Sequence, residues 1–404
     1  MNQESASEAN RRRLSWAFCF VILLSVVSLF ADATYEGGRS LLGPYLLILG
    51  AGPLAVGLAA GAGEFLGYAV RYPAGLWART EGSRRILLYV GYLINLAALP
   101  LLAFVHSLAP AVALLFLERL GRGVRSPAKK TLLAGAGDAL GTGRVFGLHE
   151  AFDQIGAVAG PLFVAATLAG GYARAFFWLF VPAVAAFVVL IVALRMYQAH
   201  EAWDQVPTHA RVEGVAEDHG TSGFFWLCVF AGALVMGLAP MILFGYSLAE
   251  RGAWSARSIV TGFAWAMAVS ALSALVFGRL YDRYGGSVFR VLVVLVPATM
   301  FALSFRRPTF LMLAWGLTGW GLSVGAMEGV LHAAVARYAT EASRRARLFG
   351  IFDAVYGGAW MMGGGVIGWL EESHPDGVVI FSLACAVVAL YALHRQDRAR
   401  GRSP

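Results

Sequence analysis

Twelve long apolar runs constrain this chain more than any other feature. A helix that crosses a bilayer needs about 20 predominantly apolar residues. Such runs lie near residues 14–48, 53–78, 86–106, 109–133, 145–170 and 175–196, and again near 223–248, 256–281, 288–304, 309–336, 347–370 and 377–393. Spread over 404 residues, they leave no room for a sizeable soluble domain. Composition agrees: 14% of the residues are charged and 58% hydrophobic, against roughly 25% and 45–50% in soluble chains. The sequence has no run of ten-residue segments alternating apolar and polar, so a membrane barrel is excluded. Three cysteines, Cys19, Cys228 and Cys385, sit far apart in apolar runs and are expected to pack. The expectation is an all-α polytopic membrane protein with twelve transmembrane helices.

Lys and Arg in the short loops set the orientation of such a bundle. Arg11–Arg13 precede span one, Arg79, Arg84 and Arg85 follow span two, and Lys129, Lys130 and Arg144 fall between spans four and five. Arg279, Arg283 and Arg290 follow span eight, Arg344, Arg345 and Arg347 follow span ten, and Arg395, Arg398 and Arg400 close the chain. All share one side if both termini are cytoplasmic; the opposite side holds chiefly Arg174, Arg251, Arg257, Arg306 and Arg307. The net charge of +8 is thus a topology signal, and no nucleic-acid partner is needed to explain it. Ala31-Asp32-Ala33 after a basic and apolar start mimics a signal-peptide cleavage site. The apolar character continues to Leu47, so the segment is expected to stay as a span.

An internal repeat divides the spans. Arg144-Val-Phe146-Gly147-Leu-His-Glu150-Ala151 recurs as Arg347-Leu-Phe349-Gly350-Ile-Phe-Asp353-Ala354, an offset of 203 residues. Gly75 and Gly82 match Gly278 and Gly285 at that same offset. The expected division is a first half over 1–197, a cytoplasmic linker over 198–221 and a second half over 222–404, each half with six spans. Repeats of even span number are parallel and related by an axis along the membrane normal, with a substrate site expected at their midplane interface.

Along nearly its whole length the chain resembles a transporter of the major facilitator superfamily. Gly278-Arg-Leu-Tyr-Asp282-Arg283-Tyr-Gly285 is similar to the family's cytoplasmic loop signature. After span two the counterpart is Gly75-Leu-Trp-Ala-Arg79-Thr-Glu81-Gly82-Ser-Arg84-Arg85, with Arg79 where the family has an aspartate and Glu81 as the candidate substitute. Arg119-Leu-Gly-Arg122-Gly123 resembles the arginine motif associated with proton coupling, with Arg122 in place of the usual glutamine. Gly156-Ala-Val-Ala-Gly160-Pro161 resembles the glycine-proline motif of antiporters. Segments such as Asp32-Ala-Thr-Tyr35-Glu36-Gly-Gly-Arg39 and Gly63-Glu64-Phe-Leu-Gly-Tyr68 are similar to a prokaryotic branch of permeases with uncharacterised cargo.

Charges within spans are costly and usually serve function or pair up. The first half holds Asp32, Glu36 and Arg39, then Glu64 and Arg71, then Glu118, Arg119, Arg122 and Arg125, then Glu150 and Asp153; the second offers Glu328, His332 and Asp353. Helical spacing puts Asp32, Glu36 and Arg39 on one face, Glu64, Tyr68 and Arg71 on another, and Glu118, Arg122 and Arg125 on a third. One reading is an inert lattice of ion pairs. The other assigns proton coupling to Asp32, Glu36, Arg119, Glu150 and Asp153, and substrate binding to Arg39, Glu64, Tyr68, Arg122, Glu328 and His332. Arg125, Lys129 and Lys130 are expected to snorkel to the cytoplasmic surface. Asp353, matched to Glu150 by the repeat, is expected in an inherited helix–loop contact. Gating is expected at Gly75, Gly82, Arg84, Arg85, Gly278, Asp282, Arg283 and Gly285, with Gly156, Gly160 and Pro161 as helix motifs.

No metal spacing, phosphate loop or nucleophile–base set occurs in the sequence, so neither a cofactor nor an enzyme is implied. The resulting expectation is a monomeric secondary transporter in the cytoplasmic membrane, moving a small molecule by proton-coupled export. The alternatives are proton-coupled uptake of an organic anion through Arg119 and Arg122, and a membrane sensor that binds without transporting.

Overall fold

The computed structural model describes residues 3–198, 220–252, 254–305, 309–338 and 342–399. Residues 199–219 of the expected linker lie outside that set, as do Arg306, Arg307 and Arg400; the side chains of Arg11–Arg13, Arg344 and Arg345 are likewise not described. The described residues form fifteen α-helices. The first eight are α1 (Gln3–Ile48), α2 (Pro53–Ala69), α3 (Arg71–Trp77), α4 (Glu81–Leu101), α5 (Leu108–Leu140), α6 (Thr142–Thr167), α7 (Tyr172–Trp178) and α8 (Phe180–Gln198). Then follow α9 (Gly220–Met236), α10 (Met241–Glu250), α11 (Ala256–Tyr284), α12 (Phe289–Leu303), α13 (Phe310–Ala336), α14 (Ala342–Ser373) and α15 (Gly377–Ala399).

Three expected spans are each two helices in tandem: α2 with α3, α7 with α8, and α9 with α10. Counted so, twelve segments cross the bundle, six before and six after residues 199–219, each at its expected place. By length and apolarity alone nine stretches among the described residues qualify as spans, and one of them, 256–303, holds both α11 and α12. The remaining two, α5 and α14, are long enough but diluted, α5 by Glu118, Arg119, Arg122, Arg125 and two lysines, α14 by Asp353 and its glycines. Ala31-Asp32-Ala33 lies inside unbroken α1.

Local sequence sets the joints. Thr80 and Ser83 form a capping box that starts α4, while Ser255 and Thr309 cap α11 and α13 by accepting from Ser258 N and Met312 N. Gly285 ends α11 with φ +60°, a conformation that favours glycine. The break at 237–240 between α9 and α10 frees backbone groups that a membrane cannot hydrate. Trp320 Nε1 on α13 donates to Ala239 O at 3.0 Å, so the break is satisfied and fixed beside α13.

With an even number of crossings, both ends of the described chain lie at one end of the bundle, called proximal below; the other is distal. The halves meet along α2–α14, α1–α10 and α6–α11. At the distal end they interlock backbone to backbone. A Cβ on Gly57 would stand 2.0 Å from Gly364 O, one on Gly43 2.4 Å from Ile242 O, and one on Gly368 2.5 Å from Pro53 O. Tyr246 also donates to Ala51 O at 2.9 Å across this seam. Small residues allow such approach between membrane helices. Gly363–Gly365 therefore work as helix contacts, Gly363 and Gly364 pressed against Met236 and Gly57.

Candidate functional site

Between the halves, at mid-depth, lies a polar cavity of about 250 Å³. Asp32, Tyr35, Glu36 and Arg39 face it from α1, Glu64 and Tyr68 from α2, Arg71 from α3, Arg122 from α5, and Glu150, Asp153 and Gln154 from α6. The second half contributes Glu328, Trp320 and Val324 from α13, Trp360 from α14, Met267 and Ser270 from α11, and Pro240 and Met241 at the α9–α10 break. Eight of the expected coupling and binding residues on α1–α6, together with Glu328, are thus gathered around one space. Arg119 stands behind that wall, and His332 does not line it.

Helix packing explains the gathering. Gly156 and Gly160 bring α6 onto α1 so closely that a Cβ on either would stand 2.2 Å from Leu29 O or Ala33 O. That contact places Asp153 and Asp32 on adjoining walls and gives the glycine-proline motif its packing role. Gly123 sets α5 against α2, with Gly67 O 2.5 Å from its would-be Cβ, and this brings the arginines of α5 to the carboxylates of α2.

Most of the charges are paired. Arg119, 2% exposed, bridges Glu64 at 2.9 Å and Glu118 at 3.3 Å. Glu118, fully buried, also accepts from Asn95 Nδ2 at 2.8 Å. Arg39 spans Glu64 at 3.1 Å and Glu36 at 3.4 Å. At their centre Tyr35 offers its hydroxyl to Arg39, Arg119 and Arg122 together, and all three guanidinium groups stand within 5.2 Å of its ring centre. Asp153 pairs with Lys129 at 3.6 Å and lies 3.7 Å from His149, while Lys129 also donates to Ser28 at 3.0 Å. Glu150 accepts from Gln154 at 2.7 Å.

Four cavity-lining charges form no ion pair among the described residues: Asp32, Glu150, Glu328 and Arg122. Asp32, only 9% exposed, makes no hydrogen bond or ion pair among the described residues, nor does Glu328, which is exposed within the cavity. Arg122 bonds Tyr35 but has no carboxylate partner there.

Several expectations need correcting. Arg125 does not snorkel: it is buried, its guanidinium 4.1 Å over the Tyr92 ring. Lys129 turns inward to Asp153, and only Lys130 is exposed. Asp353 makes no helix–loop contact; it joins His332 at 3.2 Å and, across the halves, Arg71 at 3.6 Å. His332 turns away from the cavity to Asp353 on α14. In the loop after span two, Glu81 pairs with Arg85 at 3.6 Å within α4 and reaches no other helix. In the second loop Asp282 is exposed without a partner among the described residues, and Arg283 lies over Tyr284. Gly75 rests against Pro127, whereas added Cβ atoms at Gly82 and Gly278 would meet nothing within 4 Å. Arg84 is half-buried at the start of α4. Cys228 and Cys385 are buried as expected, whereas Cys19 is exposed.

A family model described as the major facilitator superfamily matches residues 18–327. The chain belongs to the major facilitator superfamily. An uncharacterised protein of Mycobacterium tuberculosis is 36% identical over 389 residues, covering 95% of this chain and 93% of its relative. An uncharacterised transporter of this superfamily type from Methanocaldococcus jannaschii is 30% identical over 141 residues, 35% of each chain. Among solved structures, the nucleoside transporter NupG superposes with a TM-score of 0.73 at 13% identity, covering 94% of this chain and 99% of that one. A bacterial homologue of the human lysosomal transporter Spinster gives 0.68 at 15%, covering 95% and 96%. At such identity the likeness shows the fold: a multi-pass bundle of twelve helices in two six-helix halves.

For this superfamily member, three site features escaped the sequence reading. Tyr35 was visible only as part of a motif, yet it anchors three arginines. Glu118 with Asn95 and the cross-half pair Arg71–Asp353 also went unassigned. The i, i+3 and i, i+4 spacing gave the faces, but the partner across a helix gap depends on packing rotation that spacing does not encode.

Proposed function

We propose that the protein is a secondary active transporter that moves a small molecule across the cytoplasmic membrane by alternating access, as a monomer, with export coupled to inward proton movement. The observation that carries this reading is Asp32: a carboxylate nine-tenths buried at mid-depth, facing a cavity between two halves, with no hydrogen-bond or ion-pair partner among the described residues. A carboxylate within a span that no ion pair holds can take up or release a proton without breaking a bond, and such intramembrane groups mark proton or cargo paths. Arg119 and Glu36, by contrast, are fixed in the lattice and support it structurally. The superfamily is a class of transporters, and a midplane cavity between repeats is where a cargo site is expected.

The interlocked distal seam and the exposure of Glu150 and Glu328 support a state sealed distally and accessible proximally. Arg79, Arg279, Arg283, Arg290, Arg347, Arg395 and Arg398 at the proximal end, against Arg174, Arg251 and Arg257 at the distal end, support placing the proximal end and both termini in the cytoplasm. The residue division 1–197, 198–221 and 222–404 belongs to the same proposal, with the linker cytoplasmic.

One observation favours the rival reading, proton-coupled uptake of an organic anion: among the described residues Arg122 has no carboxylate partner. Arg119, its companion in that reading, is held by Glu64 and Glu118 and offers no free donor fork. Internal pH and current in proteoliposomes under an imposed pH gradient separate the two, using panels of organic cations and anions. Export by antiport predicts proton flux opposite to cargo flux, absent in Asp32→Asn. Flux in the same direction for an anion, abolished by Arg122→Gln, would replace it with symport. Binding without any flux would favour the sensor.

A further inference from the structure

The sign of the charge left over in the cavity bears on what it carries, and this step rests on the carrier reading above. Six carboxylates line the space against three guanidinium groups. Arg39 is shared by Glu36 and Glu64, Arg71 is taken by Asp353, and Asp153 by Lys129 from behind the wall. What remains is Asp32, Glu150 and Glu328 against Arg122, whose guanidinium is held to Tyr35 and stacked 4.2 Å from its ring. The balance is therefore acidic after internal pairing, and Asp32, a buried carboxylate without a partner among the described residues, faces into it.

The second half supplies the other chemistry. Its wall is Glu328 set among Trp320, Trp360, Met241, Met267 and Val324, one carboxylate in an aromatic and thioether surface. A cation over an indole face is attracted by the ring's quadrupole, more strongly when the pair is desolvated. An anion at this wall would meet Glu328, and among the described residues the second-half lining includes no Lys, Arg or His, His332 being turned to Asp353. The volume, about 250 Å³, lies below the roughly 300–1,000 Å³ of drug-sized sites, so the ligand is compact.

We propose that the cavity takes a small organic cation, an ammonium group on a compact aromatic or aliphatic body, with Asp32 and Glu328 as counter-charges from the two halves and Trp320 and Trp360 receiving the body. The two carboxylates lie on opposite halves, so a cation bridging them is held by both.

The test is equilibrium binding to the full-length protein in nanodiscs, with isosteric pairs as probes: phenethylamine against 3-phenylpropionate, and benzyltrimethylammonium against its neutral neopentyl analogue. The expected result is saturable binding of the cations at millimolar concentration or below and none of the anion. Glu328→Gln should weaken cation binding at least about tenfold, equivalent to 1.4 kcal/mol, and Glu328→Asp should restore part of it. Asp32→Asn provides a second, independent variant, each checked for native size-exclusion behaviour and unliganded melting temperature. Binding of 3-phenylpropionate in preference to the amine, unchanged amine binding in both well-folded variants, or no amine binding at all would overturn the assignment. Proteoliposome uptake of the same probes separates the two layers. Cations that bind without moving would sink the carrier reading and leave the assignment, while carboxylates that move would do the reverse.

Discussion

Arg119 shows how a motif residue can also hold a lattice together. Its sequence motif points to coupling, but its guanidinium is buried between Glu64 and Glu118, with Tyr35 as a third acceptor. Breaking a buried pair by deleting one member typically costs about 3–5 kcal/mol, because the remaining charge stays uncompensated. Arg119→Gln should therefore lower the melting temperature of the purified protein sharply, whereas Asp32→Asn, which breaks no bond, should melt close to wild type. Equal melting of the two variants would place Arg119 outside the lattice. Tyr35→Phe removes the acceptor shared by three guanidinium groups and leaves buried donors unmet, at about 1–3 kcal/mol. Its melting temperature should fall between the other two. The residues themselves were legible, since charge inside an apolar run is conspicuous. Their division into lattice and remainder was not, because it depends on which side chains meet across α1, α2, α5 and α6. Arg125 illustrates the gap: near the expected cytoplasmic end it read as a snorkelling side chain, and only its stacking on Tyr92 of α4 accounts for its burial.

Among the elements, glycine position carries more information than glycine number. Gly160 brings α6 against α1, where a Cβ would collide with backbone, while at Gly358 on α14 a Cβ would meet nothing within 4 Å. Gly160→Ala should destabilise by about 1–3 kcal/mol through forced separation of the two helices. Gly358→Ala should be neutral or slightly stabilising, because alanine is the better helix former. Paired thermal melts check both, and equal effects would contradict the packing assigned to the glycine-proline motif. Span positions were readable because bilayer thickness sets a length that apolar runs must match. The breaks inside spans were less so: Pro240 hints at the α9–α10 joint, but the hydrogen bond that Trp320 gives to Ala239 O comes from 81 residues further along and left no local trace.

For the whole molecule, the two ends of the bundle are built differently. Distally the halves touch through glycine-lined backbone; proximally Asp353 reaches Arg71 and His332, and Tyr68 stacks edge-on against Tyr356 with ring centres 5.7 Å apart. A polar latch of this kind releases more easily than a backbone seam. In a background with Cys19, Cys228 and Cys385 replaced by serine, a cysteine at Ala157 on the cavity wall should react faster with a proximal-side thiol reagent once Asp353 is changed to Asn. The measurement that bears most directly on alternating access needs no knowledge of the cargo. Spin labels at exposed Phe104 and Phe310 would report the distal separation of the halves, and labels at exposed Trp77 and Tyr284 the proximal one, by double electron–electron resonance in nanodiscs across a range of pH. The account predicts two distances at each end with opposed populations, the distal end opening as the proximal end closes. A single unchanging distance at both ends would contradict it.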